Sequence, residues 1–447
     1  MTRSAERHHI CIVGAGFSGT MLAVHLAARG CRVTLIDRAG SFARGVAYST
    51  VEDHHLLNVR ASNMSAFADA RDHFAEWLVS RTQAGPTTFA GRRIYGEYIA
   101  EMLHEHSASI EVLQAEVVGV TAAGACLSTG RVIAADALVI AAGNLPPEPL
   151  ATFATATVPF VADPWSADGR RAMDVIAGDA GTVLVVGTGL TMIDTVLSLD
   201  ARGYRGRIVA VSRRGLVPRA HAAAGQAVSP PEERGLLPLL RWLRAQASVA
   251  EWRAAVDALR PITAQIWQGW SQQEQSRFLR HARPWWDVHR HRCAPEIDAR
   301  MYDLIQEGRL SILAGRVVSC RGDAVALHRR GRRDVEEVAV DSIINCTGAS
   351  GDLSRSRDVL MRALLDEGSA RADAFGLGLE VDDGCRIIDA QGDATPGLYA
   401  VGPITKGMNW EMVAVPDIRG QVEGAAEQIV LDLQVQAANE RRMSETI

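Results

Sequence analysis

The chain has 447 residues, which is too long for one ordinary hydrophobic core and predicts two or three domains. Hydrophobic residues make up 47% and charged residues 22%, as in a globular protein, and the net charge of -5 gives no general attraction to nucleic acid or anionic membranes. No apolar run reaches the roughly 18 residues of a membrane span, and no secretory signal precedes the first strand, so we expect a cytoplasmic protein without a membrane anchor.

The N-terminal segment predicts a strand over Ile10–Val13, a glycine-rich loop, a helix over Thr20–Ala28 and a second strand over Arg32–Ile36. Strands that alternate with helices are typical of a parallel sheet. A polar stretch with short helices follows to about His106, and the buried strand "DALVIAAG" then ends at Gly143.

A second strand, loop and helix begin near Thr182 and are followed by the strand "RIVAVS". A mostly helical insertion with six of the nine tryptophans extends from about 230 to 308. Strands return in "SIINCTG" and "GLYAVG", and a last helix begins near Pro416 and continues to about Leu433. The sequence therefore predicts an α/β protein with two Rossmann-like dinucleotide-binding domains and a helical insertion in the second.

The first glycine-rich loop reads Gly14-x-Gly16-x-x-Gly19. This spacing permits a tight turn, close approach of the backbone to a pyrophosphate, and close packing of the helix on the strand. Asp37, at the end of the second strand, is placed to bind ribose hydroxyls, so the loop predicts FAD; the alternative is a tight turn without a ligand. The predicted FAD contacts are Gly14, Gly16, Phe17, Ser18, Gly19, Asp37, Arg38, Met64, Gly143 and Gly402.

The second loop, Gly187-x-Gly189-x-x-Met192, lacks the third glycine, and Ser212-Arg213-Arg214 stands where an acidic residue is expected. An acid would repel a 2'-phosphate, whereas serine and arginine would bind one. The loop therefore predicts NADPH, with NADH as the other option; the alternative is two solvated arginines in an arginine-rich protein. The predicted contacts are Gly187, Thr188, Gly189, Leu190, Thr191, Ser212, Arg213 and Arg214.

These two sites predict a discontinuous FAD-binding domain with its first part at 1–155 and its second at 346–447. The NAD(P)H-binding domain occupies 156–345 between them, with the helical insertion at about 230–308. The seven cysteines, at 11, 31, 126, 293, 320, 346 and 385, form no close pair. This spacing argues against a disulfide framework and against a disulfide reductase, which needs two neighbouring redox cysteines.

The chain resembles FAD/NAD(P)-binding flavoproteins with two dinucleotide-binding domains, and in detail a bacterial group related to flavin-containing and N-hydroxylating monooxygenases. The resemblance lies in "DRAGSFARGVAYS", "HHLLNVRASNMSAFAD", "VVGTGLTMID", "SRRGLVPRAH" and "VPDIRGQ". Met64-x-x-Phe67-x-Asp69 is similar to a run in flavin-containing monooxygenases, in which an asparagine slightly upstream lies near the oxygenated flavin. By this resemblance Asn58 and Asn63 are candidate catalytic residues.

Two departures separate the chain from the flavin-containing and Baeyer–Villiger groups proper. Gly402-Pro403 replaces the usual Gly-Asp near the flavin, and the F-x-G-x-x-x-H-x-x-x-W fingerprint is absent. The nearer group is thought to include urate hydroxylases and amino-acid N-hydroxylases. The resemblance thus implies an NAD(P)H-consuming monooxygenase that hydroxylates a small polar nitrogen-containing substrate, such as urate or an amino acid, with O2 through a C4a-peroxyflavin. The alternatives are an FAD-dependent reductase or dehydrogenase without oxygenation, and a non-catalytic nucleotide-sensing protein.

Three further segments carry candidate substrate or catalytic residues. "HHLLNVRASNM" is expected to cover the flavin ring with His54 and Arg60, unless it is an ordinary capping loop. Lys406, the one lysine, would place a cation near the flavin with Trp410 beside it, although its presence there is equally compatible with chance.

The segment "RHARPWWDVHRHRC" alternates Asp287, His289, His291 and Cys293, which raises the hypothesis of a metal site. Nearby prolines favour an irregular or helical piece instead, so we predict no metal. We expect a positive, tryptophan-walled lid, with Trp286 and His289, over NADPH or an anionic substrate. Binding of nucleic acid is not expected, because the basic patch is short and the chain is acidic overall, and no G-x-S-x-G motif indicates a hydrolase.

Overall fold

Two units make up the chain in the computed structural model, which describes residues 7–223, 225–249 and 251–445. Unit 1 consists of Met1–Val51, Arg60–Leu145 and Ser350–Ile447, and unit 2 consists of Glu52–Val59 and Pro146–Ala349. The unit boundaries lie within ten residues of those expected from the sequence, but the short segment Glu52–Val59 belongs to unit 2 and not to the first segment of unit 1. Strands and helices are numbered in chain order.

Unit 1 contains a mostly parallel sheet with helices, and a small antiparallel sheet. Its strands are β1 (His9–Val13), β2 (Arg32–Asp37), β3 (Ile110–Gln114), β4 (Val117–Thr121), β5 (Gly124–Leu127), β6 (Val132–Ala134), β7 (Ala137–Ile140), β15 (Arg386–Ile388) and β16 (Ala394–Ala400). The small antiparallel sheet consists of β4, β5 and β6, which lie between β3 and β7 in the chain. Its helices are α1 (Phe17–Ala28), α2 (Gly45–Tyr48), α3 (His73–Arg81), α4 (Arg92–Glu105), α13 (Val359–Asp366) and α14 (Val415–Glu445).

The main sheet of unit 1 has the order β15-β16-β7-β1-β2-β3, with only β15 antiparallel to its neighbour. Its central strands read as continuous apolar runs, as expected for strands covered on both faces. Ile10, Cys11 and Ile12 of β1 are completely buried, and Cys11 packs in one apolar cluster with Leu138 and Ile140 of β7. The C-terminal end of β1, which leads into α1, therefore lies in the interior of the sheet between β7 and β2.

Unit 2 contains the second parallel sheet and the helical insertion. Its strands are β8 (Phe160–Val161), β9 (Thr182–Val186), β10 (Arg207–Ser212), β11 (Leu310–Arg321), β12 (Ala324–Arg329), β13 (Val335–Ala339) and β14 (Ser342–Asn345). Its helices are α5 (Ala167–Ala177), α6 (Leu190–Ala201), α7 (Leu236–Val249), α8 (Trp252–Leu259), α9 (Thr263–Gly269), α10 (Gln272–Arg277), α11 (Arg283–Arg290) and α12 (Pro295–Gln306).

The sheet of unit 2 has the order β13-β12-β11-β10-β9-β14-β8. The long strand β11 has two roles, because its first half pairs in parallel with β10 and its second half pairs antiparallel with β12. Alternate residues of the central strands pack into two separate apolar clusters: Val183 and Val185 of β9 belong to one, and Leu184 belongs to the other together with Val325 and Leu327 of β12. The predicted α/β fold with two Rossmann-like halves and a helical insertion is thus confirmed.

Several elements differ from the sequence prediction. Strands β3, β8, β12, β13 and β15 and helices α5 and α13 were not predicted, and α14 extends to Glu445, well beyond the expected end near Leu433. The last turns of α14 carry many charged residues, so its apolar pattern ends before the helix does. Among the described residues, no helix is long and apolar enough to cross a bilayer.

Candidate nucleotide-binding sites

Two of the three glycines in the first loop are required by the protein itself. Gly14 has a φ of +105°, and a Cβ at this position would lie 2.3 Å from the carbonyl oxygen of Ala141. A Cβ on Gly19 would lie 1.9 Å from the carbonyl oxygen of Gly14. The tight turn and the close packing of α1 on β1 and β7 therefore explain both residues.

The middle glycine of each loop has no such explanation. Gly16 (φ -75°, ψ -168°) and Gly189 (φ -84°, ψ -164°) adopt nearly the same extended conformation, which any residue can adopt. A Cβ on Gly16 would approach nothing closer than Gly45 Cα at 3.7 Å, and a Cβ on Gly189 would meet no atom within 4 Å. Space is thus kept free where a dinucleotide pyrophosphate would approach the backbone.

Both middle glycines are the N-caps of helices whose first turns are open to an anion. Gly16 precedes α1 and Gly189 precedes α6, and neither helix has a side-chain cap or an acidic residue in its first turn. The backbone N–H groups at such an end carry a partial positive charge and attract phosphate. The residues present in both loops therefore fit a pyrophosphate.

Asp37 lies at the end of β2, where ribose recognition was predicted, but it also holds the local backbone. Its Oδ1 accepts hydrogen bonds from the N–H groups of Ala39 (2.9 Å) and Ser41 (3.3 Å), and its Oδ2 accepts one from Ala15 (3.3 Å). The neighbouring Arg38 is largely exposed and lies 3.5 Å from Asp358. A variant of Asp37 would therefore disturb the loop as well as any ribose contact.

The Gly402-Pro403 turn of unit 1 is held by an amide that sequence reasoning missed. The N–H of Gly402 donates to Gln421 Oε1 at 2.7 Å, and Gln421 Nε2 donates to Thr405 Oγ1 at 2.9 Å. A Cβ on Gly402 would lie 2.3 Å from Ser18 Oγ, so the turn packs against the start of α1. Of the other predicted contacts in unit 1, Met64 is buried and Gly143 has a φ of +69°.

In unit 2, Ser212 and Thr188 hold the turn that carries the two predicted phosphate-binding arginines. Ser212 Oγ lies 2.7 Å from Thr188 Oγ1 and accepts a hydrogen bond from the N–H of Gly215 at 3.0 Å. Thr188 Oγ1 also donates to the carbonyl of Leu216 at 2.5 Å. The Ser212 hydroxyl, predicted to contact a phosphate, is thus engaged inside the protein, and it positions Arg213.

Arg213 and Arg214 line a cleft of about 650 Å³, and all residues that line this cleft belong to unit 2. We call this the basic cleft; it is lined by Arg213, Arg214, Arg280, His281, Gly315, Arg316, His328, Arg330 and Gly331. No ion pair with an acidic residue is formed by its five arginines in the described part of the chain. The sequence analysis named only Arg213 and Arg214 of these as phosphate contacts, whereas Arg280 and His281 begin the segment that was expected to form a positive lid.

Comparison with known proteins agrees with the geometry of the first loop. Residues 11–145 match the family model of the FAD-NAD(P)-binding proteins. The chain therefore contains an FAD/NAD(P)-binding domain. No curated protein matches the chain in sequence.

The fold is similar to that of several solved flavoproteins. Ornithine hydroxylase of Pseudomonas aeruginosa is 15% identical, with a TM-score of 0.64 over 96% of this chain and 100% of that one. Ornithine N-hydroxylase of Kutzneria sp. 744, a complex with reduced FAD, NADP+ and L-ornithine, is 17% identical, with a TM-score of 0.61 over 96% and 100%. Thioredoxin reductase of Lactococcus lactis is 12% identical, with a TM-score of 0.53 over 96% and 99%. At these identities the likeness establishes the fold.

The segment Glu52–Val59 of unit 2 is fixed by a charged network centred on Glu52. Arg202 Nη1 lies 2.7 Å from Glu52 Oε1, and Ser198 Oγ donates to Oε2 at 2.5 Å. His54 Nε2 lies 2.7 Å from the same oxygen, and His55 Nε2 lies 2.9 Å from Ser198 Oγ. Glu52, His54 and His55 are also close enough to one another to hold a metal ion, and this cluster was not predicted from the sequence. The charge of the Glu52 carboxylate is, however, already neutralised by the guanidinium group of Arg202.

Burial alone would raise the pKa of Glu52, but hydrogen bonds from His54, Ser198 and Arg202 outweigh it and lower this pKa from 4.5 to about 2. A carboxylate with a lowered pKa stabilises the fold above its unfolded-state pKa, and this stabilisation is lost as the pH falls through the folded-state pKa. We expect Glu52→Gln to lower the free energy of unfolding at pH 7 by about 2–3 kcal/mol. The difference from the parent protein should shrink between pH 4.5 and about 2, as urea unfolding can measure.

Glu337 provides the control for this prediction, since it is exposed on β13 of the same unit. Glu337→Gln should change the free energy of unfolding by less than about 0.5 kcal/mol. An equal loss in the two variants, or a loss for Glu52→Gln that persists unchanged below pH 3, would show that the network does not act through the Glu52 charge.

The two candidate catalytic asparagines belong to different units. Asn58 lies in unit 2, where its carbonyl accepts a hydrogen bond from His221 Nε2 at 2.9 Å. Asn63 lies in unit 1, at the end of a 3-10 turn over Ala61–Asn63, and is exposed. Arg60, beside this turn, lies over the ring of Phe89 at 5.5 Å from its centroid. Their catalytic or substrate roles stay predictions.

Lys406 and Trp410 lie close together after β16, and their roles toward flavin and substrate stay predictions. Lys406 Nζ lies 4.9 Å from the centroid of the Trp410 ring, which is a cation–π distance. Trp410 is only 2% exposed, so its ring packs in unit 1 and presents little surface to a substrate. Lys406 is the better exposed member of the pair.

The predicted lid residues lie inside the helical insertion and not in the basic cleft. His289, on α11, contacts the Trp285 carbonyl at 2.7 Å, and its ring centroid lies 4.7 Å from that of Trp252. Trp286 packs near Phe278 at 6.5 Å between ring centroids. Because α11 is a helix, Asp287 and the residues that alternate with it do not share one strand face, and the cleft is instead lined by Arg280 and His281.

Proposed function

We propose that the protein is an FAD-dependent, NADPH-consuming monooxygenase acting on a small nitrogen-containing substrate. The observation that carries the proposal is the pair of middle glycines, Gly16 and Gly189. Each leaves open space at a helix N-terminus, although neither the backbone conformation nor the packing at that position requires a glycine. One such loop is followed by an acidic residue and the other by two arginines, so the two loops suit different nucleotides.

Unit 1 would hold FAD, with the N-terminus of α1 at the pyrophosphate and Asp37 near the ribose. Unit 2 would hold NADPH, with α6 at the pyrophosphate and Arg213 and Arg214 at the 2'-phosphate. When bound, FAD supplies the hydride acceptor and the oxygen chemistry, whereas the protein binds and orients the reactants.

The cysteines favour oxygenation over disulfide reduction. All seven are free, and six are buried. Burial raises the pKa of the Cys11 and Cys346 thiols to about 12, so neither is a ready thiolate nucleophile. Cys11 and Cys346 therefore do not supply the reactive cysteine that a thiol-disulfide reductase needs.

The substrate class follows from the resemblance and from the solved neighbours that hydroxylate ornithine. Amino acids with a side-chain amine, and urate, are therefore the first compounds to test. Asn58 or Asn63 would supply an amide that donates a hydrogen bond without titrating, which keeps a proton in place across a wide pH range.

The proposal predicts that purified yellow protein oxidises NADPH faster when the right amine-bearing compound is added. With isotope-labelled O2, one labelled oxygen atom should appear in the product and the other in water, which mass spectrometry can measure. Asn58→Ala or Asn63→Ala, whichever residue contacts the reacting centre, should divert the consumed O2 to hydrogen peroxide.

Two results would contradict this function. Steady NADPH oxidation with every substrate yielding only hydrogen peroxide or a reduced acceptor would favour an FAD-dependent reductase or dehydrogenase. Binding of both nucleotides without turnover would favour a nucleotide-sensing protein.

A further inference from the structure

The basic cleft of unit 2 carries more positive charge than one phosphate monoester requires. A 2'-phosphate carries about two negative charges at neutral pH, as other phosphate monoesters do. If the proposed function is right, Arg213 and Arg214 already balance that charge. Three further guanidinium groups line the same cleft, from Arg280, Arg316 and Arg330.

Two of these arginines come from the antiparallel region of the sheet. Arg316 on β11 is the direct cross-strand partner of His328 on β12, so both side chains lie on the same face. Arg330 follows β12, and its N–H donates to the carbonyl of Ala314 at 2.8 Å.

The third arginine is carried by an unusual piece of backbone. Phe278–Ala282 forms a π-helical turn between α10 and α11, and Arg280 and His281 of this turn both line the basic cleft. Single π-helical turns are rare and are frequently found at functional sites. The helical insertion therefore contributes Arg280 and His281 to the basic cleft. No acidic residue is among the described residues that line this cleft.

The size of the cleft also exceeds that of one phosphate. Its volume of about 650 Å³ lies within the range of small-molecule sites, which is roughly 300–1,000 Å³. We propose that Arg280, Arg316 and Arg330 form a second anion site, which binds a diphosphate-type anion while NADPH occupies Arg213 and Arg214. This inference rests on the proposed function only for the assignment of the first two arginines.

The experiment is a calorimetric titration of inorganic pyrophosphate into the flavin-loaded protein, with and without saturating NADP+. We expect saturable binding in both cases, with similar affinity. Arg316→Ala and Arg330→Ala should each weaken pyrophosphate binding roughly tenfold or more, since charge-assisted contacts to phosphate are lost. The dissociation constant of NADP+ should change little in both variants.

Arg333→Ala is the matched control, because Arg333 is exposed in the same β12–β13 connection and does not line the basic cleft. It should leave pyrophosphate binding unchanged. A parallel titration with methyl diphosphate distinguishes the source of the anion: binding of both compounds indicates a diphosphate ester as the natural ligand, and binding of pyrophosphate alone indicates the free anion.

Strict competition between pyrophosphate and NADP+ would overturn the inference, because all five arginines would then serve one nucleotide phosphate. Absence of saturable binding, or equal weakening by Arg316→Ala and Arg333→Ala, would overturn it as well. None of these results affects the proposed use of NADPH, which depends on separate variants of Arg213 and Arg214.

Discussion

Replacement of Gly16 by valine should yield a folded protein that contains little flavin. The conformation of Gly16 is open to any residue, and the nearest atom to an added Cβ is 3.7 Å away, so the fold tolerates a side chain there. The added methyl groups would occupy the space in which a pyrophosphate must approach the N-terminus of α1. Each lost contact to a charged phosphate costs about 1.5–3 kcal/mol, so occupancy should fall severely.

The ratio of flavin to protein absorbance measures this effect, and thermal unfolding of the apoprotein measures the stability. Gly119→Val is the matched control, because a Cβ on Gly119 in β4 of the same unit meets nothing within 4 Å. It should retain both flavin and stability. By contrast, Gly14→Ala should destabilise the apoprotein itself, since its Cβ would collide with Ala141. Full flavin occupancy in Gly16→Val would contradict the assignment of this loop.

The glycine loops could be predicted because their signal is local. Gly14, Gly16 and Gly19 lie within one turn between a strand and a helix, and the apolar runs on either side fix the element types. What the sequence could not separate is which glycine serves the fold and which serves a ligand. That distinction depends on Ala141, which is distant in sequence and adjacent in the sheet.

The polar residues at the strand ends were found by position, but their partners were not. Asp37 and Ser212 both bond to backbone N–H groups two to four residues later, as short polar side chains in turns often do. Sequence position alone therefore overstates their freedom to bind a nucleotide. Ser212 holds the turn that carries Arg213, and a phosphate contact stays a prediction for Arg213 and Arg214.

The basic cleft could be predicted only in part, because its walls come from separate regions of the chain. Arg213 follows β10, Arg280 belongs to the helical insertion, and Arg316 lies on β11. Their proximity results from the pairing of β10 with β11, which no local pattern reveals. The placement of Glu52–Val59 in unit 2 was missed for a similar reason, since it depends on the distant Arg202.

Removal of both guanidinium groups in Arg213→Ala/Arg214→Ala should abolish most of the preference for NADPH over NADH. Each charge-assisted contact is worth about 1.5–3 kcal/mol, so each should contribute roughly tenfold or more to that preference. The KM for NADPH should rise accordingly, with the KM for NADH and the flavin content nearly unchanged.

Gly189→Ala provides the comparison, because its Cβ meets no protein atom within 4 Å but would obstruct the pyrophosphate that both nucleotides share. That variant should weaken NADPH and NADH equally, whereas Gly269→Ala, with equally open surroundings in unit 2, should weaken neither. Equal losses for both nucleotides in the double arginine variant would mean that these side chains do not recognise the 2'-phosphate.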